Sequence, residues 1–374
     1  MPKQAFLDDQ GSMAPLESSS SLPLTPAALL WQDKKLLNFS SPDYLGLSQH
    51  PDMRKHAMKY LLQYGTSLCH PEISSGFLEC QQEIEHKCAE ALGMSLVHFF
   101  SSRTTALSFL LEHFPKDWTI FLSYSSEKWL QKTISSWGGR IIYFHELTEL
   151  DALLPLYAQK FIFTSSICGI TGKLSDLSAF TSIAKKHECF LLVDDTYAFG
   201  IKGKHGFGLA QGKQIDFLLC GLDHGAGASG ALIAYSSSTA SCFLHKKTQD
   251  RDLMITFSTL GAIEAAFELI PQFEGERMQL EQRSHWLRMQ LPHVDWEASH
   301  LIAIQCEDEQ DAKQRCHKLL QQDILCDIRR TSSHAYLQVV INTFHSPEEL
   351  TLLLKALSAH REDPVVNHLV TSLS

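Results

Sequence analysis

Short apolar segments alternate with segments of helical periodicity through the middle of this chain, and this alternation restricts the possible folds more than any other feature. A strand that is apolar along its whole length needs cover on both faces, which is typical of a largely parallel sheet with helices on either side. We therefore predict an α/β fold. The predicted strands are His98–Ser101, Ile120–Ser123, Arg140–Phe144, Phe161–Thr164, Phe190–Asp194, Phe217–Gly221 and Ala231–Tyr235.

Two of the segments between these strands carry clear helical signals. In Cys80–Leu92 the apolar residues recur at the spacing of one helix face, and Gly93 is a suitable end. Asp176–Lys186 has the same apolar spacing, and Ser175 precedes it as a candidate N-cap. Helices at these places would supply the crossover connections that parallel strands require.

The pattern changes after about Leu260. One long helical stretch, Gly261–Leu291, precedes two short apolar strands, Leu301–Gln305 and Leu337–Ile341. A last helix begins at Ser346–Glu349, which combines a serine N-cap, a first-turn proline and a capping-box glutamate. We predict three parts: an N-terminal arm (residues 1–50, mobile at its start), a large α/β domain (51–260) and a smaller C-terminal α+β domain (261–374).

Composition excludes several classes of function. The chain has 374 residues, 44% of them hydrophobic and 20% charged, with a formal net charge of -10. A nucleic-acid surface needs clustered lysine and arginine, and a membrane helix needs a run of about 18 apolar residues; neither is present in the sequence. The ten cysteines form no CxxC pair and the histidines no HExxH motif. We therefore expect a cytoplasmic protein with reduced thiols and no metal site.

The segment from Phe100 to Ala106 runs from a predicted strand end into a helix. A helix N-terminus offers free N–H groups and the positive end of the helix dipole, so a phosphate group could bind there. Ser102, Arg103 and Thr104 would supply further donors. Serine and threonine also cap helices that bind no ligand, so the residues by themselves leave both interpretations open.

Asp194 ends a predicted buried strand, at the carboxyl side where open α/β sheets bind their ligands. A buried carboxylate needs a partner, and a protonated pyridine nitrogen would be one; capping of the following turn is the alternative. Glycines recur in Gly200–Gly208 and in Gly225–Gly230. This spacing indicates tight turns or close approach of the backbone.

In this order, the segments resemble the α-oxoamine synthases, a family of pyridoxal-phosphate (PLP) enzymes that join an acyl thioester to an amino acid. The resemblance spans Asn38 to Leu357 and is most specific at Asn38–Leu47, whose letters NFSSPDYLGL are close to the 8-amino-7-oxononanoate synthase branch of biotin biosynthesis. It implies the PLP-dependent transferase fold type I, with a mostly parallel seven-stranded sheet. Other matching segments are Tyr64-Gly65, Gly76, Ile84-Glu85, Val193-Asp194, the glycine run from Gly200 and Phe257-Ser258-Thr259.

The resemblance implies roles for residues that match the family pattern. Asp194 matches the acid that keeps the pyridine nitrogen of PLP protonated, and Tyr197 stands in for a histidine beside the cofactor ring. Ser102 and Thr104 lie in the segment that holds the phosphate. Thr259 matches a hydroxyl that reaches the phosphate of the neighbouring subunit, which implies a dimer with shared sites.

Other features of the family pattern are replaced. The lysine that binds PLP covalently aligns with His224, and the threonine three residues before it aligns with Gly221. The stacking imidazole aligns with Gln81, the phosphate-loop glycine with Arg103 and the carboxylate-binding arginine with Tyr336–Gln338. Histidine has no primary amine, so His224 cannot form the cofactor imine, although an imidazole can serve as a base.

Three interpretations follow from the resemblance. The chain is an acyltransferase with degenerate catalysis, or a non-catalytic subunit, or an enzyme of PLP or pyridoxamine phosphate that uses His224 as its base. The retained Thr259 fits the second, in which this chain lends a contact to a partner's site. We expect a homodimer or a heterodimer with an active homologue, and an acyl thioester and an amino acid as ligands if the chain is active.

Overall fold

Residues 22–31, 34–66, 75–243, 255–291, 294, 299–331 and 333–358 are described in the structure, which is a computed structural model. The chain divides into two compact units. The large unit is Pro42–Met278, and the small unit combines Met1–Ser41 with Gln279–Ser374. These boundaries differ from the predicted ones at residues 50 and 260. Residues 42–50 and 261–278 belong to the large unit.

The strands of both units are numbered in chain order. They are β1 (Leu22–Thr25), β2 (Ala28–Trp31), β3 (Lys34–Asn38), β4 (Leu96–Phe100), β5 (Thr119–Ser123), β6 (Arg140–Phe144), β7 (Lys160–Ser165), β8 (Phe190–Asp194), β9 (Phe217–Gly221), β10 (Ala231–Tyr235), β11 (Leu301–Gln305), β12 (Ile324–Leu325), β13 (Asp327–Arg330) and β14 (Ala335–Val340).

The α-helices are numbered in the same way. They are α1 (Pro51–Tyr64), α2 (Ser75–Leu92), α3 (Arg103–Glu112), α4 (Lys128–Trp137), α5 (Leu147–Leu153), α6 (Leu177–Lys186), α7 (Ser237–Phe243), α8 (Phe257–Leu269), α9 (Glu274–Gln290), α10 (Glu309–Gln321) and α11 (Pro347–Ser358). Within the described ranges, none of these helices has the length and apolar character needed to cross a bilayer.

A seven-stranded sheet forms the centre of the large unit, in the order β4-β10-β9-β8-β7-β5-β6. The strands from β9 to β6 are parallel, and β10 is antiparallel to both of its neighbours. All seven predicted strands are confirmed, with shifts of at most two residues at their ends. Because β9 and β10 are buried along their full length, their apolar sequences are explained by cover on both faces.

Two predictions about helices are corrected. The N-cap of α6 is Asp176, not Ser175, and its carboxylate accepts a hydrogen bond from the Ala179 N–H at 3.0 Å. The predicted long helix Gly261–Leu291 is two helices, α8 and α9, which are separated by a 3-10 turn at Ile270–Gln272. Pro271 explains the break, because its ring has no N–H to donate and clashes with a continuing helix.

The small unit contains two further sheets, ordered β1-β2-β3-β12 and β11-β14-β13. The part of the predicted arm from Leu22 to Asn38 therefore forms strands, while residues 1–21 lie outside the described residues. The predicted capping box is confirmed at the start of α11. The Glu349 N–H donates to the Ser346 hydroxyl at 3.2 Å, and the Ser346 N–H donates to the Glu349 carboxylate at 2.9 Å.

The two glycine runs of the large unit approach each other through their backbones. Gly200 has a φ of 89°, and a Cβ on it would lie 2.6 Å from the Gly225 carbonyl carbon. A Cβ on Gly225 would lie 2.3 Å from the Phe199 oxygen. The predicted close approach is thus confirmed, and it fixes the turn that directly follows His224.

We predict that Gly225→Ala lowers the free energy of unfolding by about 2 kcal/mol, because its methyl group would overlap the Phe199 carbonyl. Urea denaturation measures this loss. Gly275→Ala is the matched control, since a Cβ there meets nothing within 4 Å and alanine favours the helix. Equal stability of the two variants would contradict the prediction.

Candidate active site

Four strands of the large unit bring the candidate residues to one edge of the sheet. β5, β8 and β9 run in the same direction, and β4 shares it because β10 is antiparallel to both β4 and β9. Their carboxyl ends therefore meet at the edge where such sheets bind ligands. Arg103 follows β4, Glu127 follows β5, Asp194 ends β8 and His224 follows β9.

The Asp194 carboxylate is buried, with 1% of the residue exposed. Its Oδ1 accepts hydrogen bonds from the Thr196 N–H at 3.0 Å and the Thr196 hydroxyl at 2.5 Å. The same hydroxyl accepts from the Gly221 N–H at 2.7 Å, which ties the end of β8 to the end of β9. The second oxygen, Oδ2, faces the side chain of Arg103.

Arg103 is the first residue of α3, and its guanidinium lies between two carboxylates. Nη1 is 3.7 Å from Asp194 Oδ2 and 3.6 Å from Glu127 Oε2. The guanidinium carbon lies 4.7 Å from the centre of the Trp129 ring and 5.6 Å from that of Tyr197. We call these five residues the Arg103 cluster.

Glu127 links the aromatic members of the Arg103 cluster. Its Oε1 accepts a hydrogen bond from the Tyr197 hydroxyl at 2.7 Å, and its Oε2 accepts one from the Trp129 indole at 3.1 Å. Nη1 of Arg103 is buried and, among the described residues, has no hydrogen-bond partner. Nη1 therefore makes no direct hydrogen bond to either carboxylate. Charge attracts Arg103 to the carboxylates, and cation–π contact attracts it to the two aromatic rings.

Burial and charge act in opposite directions on the pKa values of this cluster. Burial raises the pKa of Asp194 above its ordinary value, while the neighbouring Arg103 and the Thr196 hydrogen bonds limit the rise. Burial by itself would lower the pKa of Arg103, but attraction to Asp194, Tyr197 and Glu127 raises it instead. The guanidinium thus stays charged, and its charge favours the ionised form of Asp194.

His224 lies in the turn after β9 and has an acidic neighbour. Its Nδ1 is 2.9 Å from Oδ1 of Asp223, and its ring meets the Tyr197 ring edge-on at 5.1 Å between centroids. Burial would raise the pKa of Asp223, but the hydrogen bond and charge of His224 lower it. The His224 side chain is 12% exposed and that of Asp223 is 59% exposed, so the imidazole is largely covered while its carboxylate partner lies at the surface.

The remaining predicted site residues are engaged in local contacts. The Ser102 hydroxyl caps α3 by accepting from the Thr105 N–H at 3.1 Å, and Thr104 is exposed. Gln81 is buried and donates to Glu85 at 2.6 Å. Thr259, in the first turn of α8, has its hydroxyl 2.9 Å from that of Thr256.

The predicted carboxylate-binding position belongs to the small unit. Tyr336–Gln338 lies on β14 of the small unit.

Comparison with known proteins places the chain in a family. The family model described as aminotransferase class I and II matches residues 34–357. The chain belongs to this family. A protein named putative 8-amino-7-oxononanoate synthase from Desulfosudis oleivorans is 25% identical over 362 residues, covering 91% of this chain and 92% of the relative. The resemblance to the PLP-dependent α-oxoamine synthases is therefore confirmed.

Solved structures confirm the predicted fold type. A serine palmitoyltransferase variant from S. paucimobilis, bound to a PLP–myriocin aldimine, superposes with a TM-score of 0.83 at 17% identity, over 91% of this chain and 92% of that one. The 8-amino-7-oxononanoate synthase of Francisella tularensis superposes with a TM-score of 0.76 at 19% identity, over 87% and 97%. This chain therefore has PLP-dependent transferase fold type I.

The Arg103 cluster does not fit PLP held in the manner of the family. A pyridinium ring would need the free oxygen of Asp194, and a guanidinium faces that oxygen. His224, which the resemblance aligns with the lysine, has no primary amine with which to hold the cofactor covalently. Charge and covalent chemistry at this edge thus both depart from what the cofactor requires.

Sequence reasoning missed three residues of this site: Glu127, Trp129 and Asp223. An acid a few residues after a predicted strand was a usable signal for Glu127, because β5 ends at the same edge as β8. Asp223 could have been found as an acid adjacent to His224. No sequence pattern marks Trp129, whose place over Arg103 depends on the packing of α4 and α3.

We predict that Arg103→Met lowers the free energy of unfolding by about 3 kcal/mol at neutral pH, because it leaves buried carboxylates without a cation. The loss should be larger at pH 8 than at pH 5. Without the guanidinium, the pKa of Asp194 in the folded state rises further above its value in the unfolded state. The folded protein then favours protonated Asp194, so its free energy of unfolding falls as the pH rises and this carboxyl group must ionise.

Urea denaturation at the two pH values measures this effect. Arg330→Met is the matched control, since the Arg330 side chain is 44% exposed and its ion pair with Glu309 contributes little. A loss for Arg103→Met that does not change with pH would show that Asp194 does not depend on this cation.

Proposed function

We propose that this chain keeps the scaffold of an α-oxoamine synthase of the 8-amino-7-oxononanoate synthase type but does not catalyse that reaction through a lysine imine. One observation carries the proposal. At the position that the resemblance assigns to the lysine, the structure has His224, with its ring 2.9 Å from Asp223. The imidazole is a base and a hydrogen-bonding group, and it has no amine that could bind a carbonyl cofactor covalently.

Other positions that depart from the family pattern support this proposal. Gly221 offers no hydroxyl where the resemblance has a threonine, and the Gln81 amide is turned toward Glu85. The cation beside Asp194 belongs to the protein itself. Loss of the covalent anchor together with prepositioned groups is expected to reduce the rate of acyl transfer by several orders of magnitude.

We predict that the purified chain, incubated with PLP and reduced with borohydride, gains no mass at an active-site residue. It also forms no 8-amino-7-oxononanoate from an acyl thioester and an amino acid, as measured by mass spectrometry. The relative from Francisella tularensis, treated in parallel, is the positive control. A specific reduced adduct with turnover in this chain would overturn the proposal.

A second candidate is a non-catalytic subunit that completes the site of a lysine-bearing homologue. Thr259 favours it, because this hydroxyl is kept at the N-terminus of a long helix, a suitable place for a phosphate. In such a heterodimer the chain would supply a phosphate contact and no covalent chemistry.

This candidate makes its own prediction. In a heterodimer with a lysine-bearing homologue from the same cell, Thr259→Ala in this chain should weaken PLP binding by the partner about tenfold, the effect of one charged hydrogen bond. Ser258→Ala, one residue away on α8, is the control and should leave binding unchanged. A stable homodimer that forms no complex with any such homologue would exclude this candidate.

A third candidate, a PLP or pyridoxamine-phosphate enzyme with His224 as its base, has support from the contact with Asp223. That contact would orient the imidazole toward a bound ligand. The borohydride experiment does not test this candidate, but turnover that His224→Gln abolishes would support it over the first two.

A further inference from the structure

Asp194 already has a cation beside it. A carboxylate buried to this degree needs a positive charge or a proton for compensation. Thr196 satisfies Oδ1, and the guanidinium of Arg103 stands 3.7 Å from Oδ2. The compensating charge is therefore supplied from within the chain.

The position of Arg103 on its helix shows that the acidic partners hold it there. As the first residue of α3, Arg103 lies at the positive end of the helix dipole, where a cation is disfavoured. Its side chain is only 16% exposed, although an arginine at a helix start could extend into solvent. The attraction of Asp194 and Glu127, and the faces of Trp129 and Tyr197, outweigh both costs.

Gly221 provides the room for this side chain. A Cβ built on Gly221 would lie 2.8 Å from Cδ and 3.0 Å from Nε of Arg103. The stem of Arg103 thus rests directly on the backbone of Gly221, and a larger residue there would require the arginine to move. The arginine at position 103 and the glycine at position 221 depend on each other.

The guanidinium of Arg103 also resembles a bound pyridinium ring in its shape and charge. The guanidinium is planar and cationic, lies beside the free oxygen of Asp194 and faces the Trp129 ring at 4.7 Å. A protonated pyridine ring has the same plane, charge and need for a carboxylate partner. The arginine side chain therefore supplies internally what a pyridinium ligand would supply to Asp194.

We propose that Arg103 is a built-in substitute for the pyridinium ring of PLP, and that removing its side chain opens a non-covalent site for a pyridine phosphate beside Asp194. This inference rests on the proposed function, since it explains how the scaffold remains charge-balanced without a covalently held cofactor. It assigns to Arg103 a role that the family pattern, with a glycine at this position, does not contain.

The test is the binding of pyridoxine 5′-phosphate, which lacks the aldehyde and so cannot react with surface lysines. Quenching of tryptophan fluorescence reports binding near Trp129, and equilibrium dialysis measures the affinity independently. Arg103→Gly should bind the probe at least about tenfold more tightly than the unmodified chain. Arg103→Met, which keeps the bulk and removes the charge, is the matched control and should gain no affinity.

Two further variants test the location. Adding Asp194→Asn to Arg103→Gly should remove the gain, because the neutral amide offers no negative charge to the pyridinium nitrogen. Gly221→Thr should lower the melting temperature of the unmodified chain more than that of Arg103→Gly. The reason is that the threonine overlaps Cδ of Arg103 in the unmodified chain, and Arg103→Gly has no such atom. Arg103→Ala replaces Arg103→Gly if circular dichroism shows that the glycine variant does not fold.

Three results would overturn the inference. The unmodified chain and Arg103→Gly could bind pyridoxine 5′-phosphate with equal affinity, or the gain in affinity could persist when Asp194→Asn is added. The third result is that Arg103→Gly binds inorganic phosphate as tightly as it binds pyridoxine 5′-phosphate. Failure of the proposed function looks different. A reduced covalent adduct with turnover in the unmodified chain would refute that proposal, whereas tight probe binding without an adduct would refute only the role of Arg103.

Discussion

The carboxylate of Asp194, buried at the end of β8, needs positive charge beside it, and the arrangement of this edge of the sheet follows from that need. Arg103 provides the charge, although it starts a helix where a cation is disfavoured. Glu127 and the two aromatic rings hold the guanidinium in place, and Gly221 leaves room for its stem. Arg103, the residues that contact its guanidinium, and the glycine at position 221 therefore depend on one another.

This group balances the charge at one edge of the family scaffold. The sheet, the glycine contact between Gly200 and Gly225, and the acid at the end of β8 all serve packing and charge balance. His224 and its contact with Asp223 lie in the turn after β9 and are not part of this group.

Much of the fold could be predicted because its signals are local. Apolar strands such as Phe190–Asp194, and the capping box at Ser346, depend on residues close together in the chain. The N-cap of α6 was placed one residue early, because serine and aspartate at neighbouring positions are both good caps. The domain boundaries were displaced, since they depend on which segments pack together and not on local pattern.

The sequence by itself determined the order of strands and helices and the family, and it has a histidine at position 224. Only the tertiary structure decided which residue compensates Asp194. Arg103 was a candidate phosphate ligand in the sequence, and its side chain turns instead to the carboxylates. The reason is physical: a long charged side chain at a strand end can reach several partners, and the choice depends on burial and on neighbours that only folding brings together.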